Sequence, residues 1–132
     1  MLLSIWTKQR IFLLDGIGAA VTAVTVGLIL PMLQTWIGLP IVTLRLLGGF
    51  AVVLAVYSLS RHFTGRTTPT ALRRVAYANL AYCALTAAIV SWHARDVTAW
   101  GFVYFGGEIA IIAALSWREL ALARSNELSI AA

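Results

Sequence analysis

The chain has 132 residues, of which 61% are hydrophobic and 11% charged. Soluble domains carry about 25% charged and about 45–50% apolar residues. An ordinary soluble enzyme and a disordered chain are therefore excluded, and a single cysteine excludes a disulfide scaffold. The net charge is +5, but the basic residues fall between apolar runs. That pattern marks the cytoplasmic loops of a membrane protein, so the expected partner is the lipid bilayer and not nucleic acid.

A helix needs about 20 mostly apolar residues to cross a hydrocarbon core of about 30 Å. The first run goes from Ile11 to about Leu33, with Asp15 its only charge and Pro31 expected to kink or end its last turn. Gly38 and Pro40 mark a turn. The second run goes from about Ile41 to Ser60, with Arg45 near its start. Residues 61–74 hold four arginines as well as Gly65 and Pro69, and read as a cytoplasmic loop. The third run, Val75 to Trp92, has no charge, and His93 to Asp96 form a tight turn. The fourth run, Val97 to Trp117, carries Glu108 near its middle, and residues 118–132 read as a cytoplasmic tail.

Continuous apolar runs favour helices, because barrel strands alternate. The expected fold is all-α: one domain, an antiparallel up-down-up-down four-helix bundle. In that arrangement Lys8, Arg10, Arg61, Arg66, Arg73, Arg74, Arg118 and Arg124 share one side, and Arg45 and Arg95 the other. Eight against two places both termini in the cytoplasm by the positive-inside rule. Lys8 and Arg10 follow the first residues too late, and Asp15 interrupts the apolar stretch, so the first run reads as an uncleaved anchor.

Ala19, Ala23 and Gly27 recur every four residues, as do Gly106, Ala110 and Ala114. Small-residue stripes of this kind let helix backbones approach in lipid, and they suit either packing within the bundle or a homodimer face. Gly48-Gly49 and Gly106-Gly107 form matching pairs in the second and fourth runs.

The residues able to carry chemistry are few. Glu108 lies eight residues from Trp100 and nine from Trp117, near the midplane at 1.5 Å per residue. Desolvation disfavours a charge there, so a neutral carboxyl donating or accepting hydrogen bonds is expected. Tyr104 shares its face and Tyr82 its depth. Asp15 is shallower, within reach of Arg10, Arg73, Arg74 or Arg118, and Tyr57 is expected at its level. Thr22 continues the Asp15 stripe, and Asn79 belongs to the Tyr82 face. These seven residues (Glu108, Asp15, Tyr82, Tyr104, Asn79, Thr22 and Tyr57) form the expected polar interior.

His62 and His93 lie at opposite ends of their helices, so one chain cannot offer both to one haem, and no metal or cofactor is expected. There is no HExxH, GxSxG or P-loop pattern, so no catalytic residue is assigned and the chain does not read as an enzyme.

The stretches Asp15-Gly16-Ile17-Gly18-Ala19, Ala78-Asn79-Leu80-Ala81-Tyr82-Cys83 and Tyr104-Phe105-Gly106-Gly107-Glu108 resemble a group of uncharacterised small bacterial four-helix inner-membrane proteins. The resemblance implies architecture and a bacterial inner-membrane location, and brings no activity. Three functional classes follow from the residues. The first is transport or permeation of a proton, cation or small solute centred on Glu108. The second is a non-catalytic accessory subunit of a larger membrane complex or a homodimer. The third is a lipid-binding protein or membrane enzyme.

Overall fold

The computed structural model describes the backbone of residues 2–65 and 68–131, and the side chains of residues 10–65 and 68–124. Among the described residues the secondary structure is helical throughout: α1 (Leu2–Val24), a π-helical turn (Thr25–Ile29), α2 (Leu30–Met32), α3 (Gln34–Ile37), α4 (Ile41–Thr64), α5 (Pro69–Trp92) and α6 (Ala99–Ala131). Four segments are long and apolar enough to cross a membrane: Arg10–Met32, Ile41–Thr64, Pro69–Trp92 and Ala99–Arg124.

Local chemistry sets the ends of these helices. Thr68 caps α5, its side chain accepting from the Ala71 N–H at 3.1 Å, and Pro69 follows at the position where a missing N–H does no harm. The helix therefore begins six residues before the apolar run does. The presumed loop over 61–74 shrinks accordingly, because α4 also continues to Thr64. Thr98 caps α6 in the same way, with Gly101 N–H donating to its hydroxyl at 3.1 Å.

The presumed tail is also helical. Arg118 and Glu119 end the apolar run but not the helix, which runs to Ala131. Pro31 acts earlier than its own position. It lacks the N–H that would bond the Gly27 carbonyl, and the strain is taken up upstream, where Leu30 N–H reaches back five residues to the Thr25 carbonyl. The chain then breaks again at Leu33 and ends at Gly38, whose φ of 95° is left-handed.

Packing is tightest between α1 and α4 and between α5 and α6, with a lesser contact of α4 on α5. The α1–α4 crossing is set at Gly27 and Gly48, where a Cβ on Gly48 would stand 2.5 Å from the Gly27 Cα. At one end of the bundle two turns dock. Thr98 N–H donates to the Ile37 carbonyl at 3.0 Å, and its hydroxyl donates to the Trp36 carbonyl. Gly38 packs so closely on the Asp96 carbonyl that no side chain would fit. Large apolar side chains such as Met32, Leu46, Val53, Val103 and Ile111 point outward, as a lipid-facing surface requires. By contrast, α1 and α6 barely touch, and the gap between them holds the site.

Candidate functional site

Two polar layers occupy the interior. The first draws one side chain from each of the four long helices. Apolar contacts among Ile11, Phe12, Leu72, Val75 and Ala123 bring α1, α5 and α6 together. One turn further into the bundle, the same register brings Asp15, Asn79 and Glu119 to one level, and Ser58 completes it from α4. Asp15 is 3% exposed and Glu119 0%. The Asn79 amide donates to Asp15 Oδ1 at 2.5 Å and the Ser58 hydroxyl to Oδ2 at 2.5 Å. The Glu119 carboxyl lies against that of Asp15, within hydrogen-bonding reach. Neither Glu119 oxygen has another partner among the described residues.

This corrects the expectation for Asp15. The sequence suggests an arginine partner, but the carboxyl meets two neutral donors and a second acid. Arg74 and Arg118 point outward.

The second layer centres on Glu108. The Tyr82 hydroxyl donates to Glu108 Oε1 at 2.7 Å. Tyr104, one turn back on α6, lies beside the same carboxyl and beside Thr25 at the start of the π-helical turn. Phe50 from α4 tilts against the Tyr82 ring, with centroids 5.7 Å apart. Glu108 Oε2 is buried and has no hydrogen-bond partner among the described residues.

A cavity of about 500 Å³ joins the two layers. Asp15, Thr22, Asn79, Tyr82, Tyr104 and Glu108 line it, so six of the seven expected residues meet in one space. Its remaining walls are largely aliphatic, with Ala19, Val21, Leu54, Ile111, Ile112 and Leu115 among them. The exposed Gly18, Val21, Gly107 and Ile111 edge it where α1 and α6 diverge, so it opens sideways between these two helices. Nothing lies within 4 Å of where a Cβ would stand on Gly18 or Gly107.

Tyr57 is the seventh residue, and it lies elsewhere. It packs against the Ile11–Phe12–Leu72 cluster, and the Arg61 guanidinium sits over its ring, 5.2 Å from the centroid. Glu119 is the residue that sequence reasoning missed. Its signal was spacing: Ser116, Glu119 and Ala123 are buried at intervals of three and four, while Trp117, Arg118, Ala121 and Arg124 are exposed.

The small-residue stripes also part company. Gly27 is in the α1–α4 contact and the Ala23 carbonyl is close to Gly48, while Ala19 lines the cavity. Gly106, Ala110 and Ala114 face outward. Among the described residues no cluster of His, Cys, Asp and Glu is arranged to hold a metal ion.

No family model, curated protein or solved structure matches the chain.

Proposed function

We propose that this chain is a bacterial inner-membrane protein that binds a small organic cation in the cavity between α1 and α6 and passes it across or out of the bilayer, with Glu108 as counter-charge. The observation that carries the proposal is a half-buried carboxyl on the wall of a largely aliphatic cavity, with Oε1 held by Tyr82 and Oε2 without a hydrogen-bond partner among the described residues. An acid of this kind selects positive charge. The aliphatic walls select an apolar body and disfavour an inorganic ion, which would need many oxygen ligands in place of its hydration shell. A sideways opening suits a ligand that partitions into lipid first. On binding, Glu108 exchanges its proton for the cation.

The topology proposed with this function is up-down-up-down with both termini cytoplasmic. Gly16 packing on Leu59 while Gly27 packs on Gly48 supports opposite directions for α1 and α4. The eight-to-two division of Lys and Arg supports the orientation.

The test uses tetraphenylphosphonium as probe and the protein in lipid nanodiscs. Wild type is expected to bind it saturably with release of a proton. Glu108→Gln keeps the shape and the Tyr82 bond, and is expected to weaken binding about tenfold or more, the scale of a lost charge-assisted contact. Equal binding by wild type and Glu108→Gln, or no saturable binding by wild type, overturns the proposal.

A second reading, an accessory subunit or homodimer, is favoured by one observation. Gly106, Ala110 and Ala114 form a small-residue stripe on α6 that is exposed among the described residues.

A further inference from the structure

The first polar layer has a deficit of hydrogen. Asp15 and Glu119 place four carboxyl oxygens in the buried interior, and among the described residues only Ser58 and Asn79 donate a side-chain hydrogen bond to them. Asp15 Oδ1 and Oδ2 each accept one bond, which leaves each a free lone pair. Both Glu119 oxygens are buried and unpartnered, and the carboxyl faces Asp15. Two ionised carboxylates cannot bond each other. In contact within a low-dielectric interior they repel, and among the described residues no donor meets Glu119. One added hydrogen resolves both problems, because a carboxylic acid donates to a carboxylate in a short, strong bond.

We infer that Asp15 and Glu119 form a proton-binding site, sharing a single proton between their carboxyls in the resting protein. The site is separate from Glu108, which sits in the other layer with tyrosines around it. Each of the four long helices contributes to its surroundings. Ser58, Tyr57, Arg61 and His62 come from α4, Asn79 and Arg73 from α5, Ser116 from α6 and Arg10 from α1, while Arg74 of α5 and Arg118 of α6 point outward. Of these, Ser58 and Asn79 hold Asp15 directly. Arg10, His62 and Arg73 also make interactions in the structure. Asp15 lines the cavity while Glu119 does not, so the shared proton stands between the cavity and the α6 side of the bundle.

The inference does not depend on the cation reading, and its test is arranged accordingly. All measurements are made in a Glu108→Gln background, in nanodiscs at pH 7, so that Glu108 contributes nothing to the signal. Infrared difference spectra are recorded for this protein against the same protein carrying Glu119→Gln or Asp15→Asn. Glu119→Gln supplies an N–H in place of the shared hydrogen, and either amide leaves the other residue ionised. One protonated-carboxyl band per chain is therefore expected in the parent and in neither variant. Glu119→Gln is expected to unfold in detergent at the parent's midpoint, and Asp15→Asn below it, because its amide nitrogen replaces an oxygen that accepts from Ser58 or Asn79.

Three results would overturn the inference. One is no protonated band in the parent, which would mean two anions held by Arg10 or Arg73. Another is a band that survives Glu119→Gln or Asp15→Asn, which would make the proton the property of one residue. The third is loss of folding in both amide variants, which would mean that the layer needs two charges.

Discussion

Gly48→Ala tests the crossing on which the whole site depends. In the folded protein a Cβ on Gly48 would stand 2.5 Å from the Gly27 Cα and 2.9 Å from its backbone nitrogen. Comfortable carbon–carbon contact begins at about 3.5 Å, so α1 and α4 must separate by about 1 Å. The obstacle is backbone, which cannot rotate aside. Overpacking of this kind costs about 1–3 kcal/mol. Alanine also gains about 1 kcal/mol over glycine in a helix interior, so the net expected loss is about 0–2 kcal/mol.

The neighbouring residue supplies the control. Gly49→Ala meets nothing within 4 Å, so only the propensity gain applies, and the protein is expected to become more stable by up to about 1 kcal/mol. The difference between the two variants, about 1–3 kcal/mol, is the quantity to measure, by reversible unfolding of each in mixed micelles with increasing dodecyl sulfate. The same crossing sets the register that puts Ser58 against Asp15. Gly48→Ala as stable as Gly49→Ala would refute the close approach, and with it the placement of the first polar layer.

Other outcomes follow from single contacts. Asn79→Ala removes a donor to Asp15 Oδ1 and is expected to destabilise by about 1–3 kcal/mol, the range for leaving a buried acceptor unmet, read in the same unfolding assay. Thr98→Val removes the α6 cap and the hydroxyl bond to the Trp36 carbonyl, for a loss of about 0.5–2 kcal/mol. Gly107→Leu adds bulk at the open edge of the cavity, at a position where a Cβ meets nothing within 4 Å. It is expected to abolish tetraphenylphosphonium binding at unchanged stability, checked by equilibrium dialysis beside the unfolding curve. A reporter fused after Ala132 that requires the cytoplasm is expected to be active, and activity of a periplasmic reporter at the same point would reverse the proposed orientation.

The membrane-crossing segments were legible in the sequence because they depend on length and local hydropathy. About 20 apolar residues between breakers span a bilayer whatever they pack against, and Pro31, Gly38, Gly65, Pro69 and Asp96 all fall at or beside helix ends or turns. Asp15 and Glu108 stood out for the same reason, as isolated charges in apolar runs. Glu119 did not. It follows Trp117 and Arg118, where falling hydropathy suggests the end of a span, yet backbone hydrogen bonding carries α6 past that point and turns Glu119 inward.

Which faces meet was decided only in three dimensions. Gly48-Gly49 and Gly106-Gly107 look alike in the sequence. In the structure Gly48 is pressed against Gly27, while Gly106 and Gly107 have open space around them. Tyr57 and Asp15 belong to one depth by counting residues, yet Tyr57 packs outside the cavity that Asp15 lines. Helical spacing fixes the depth of a side chain and its direction about its own axis. The rotation of one helix against another comes from backbone contact at a few small residues, and that contact placed Asp15 beside an acid where the local pattern suggested an arginine.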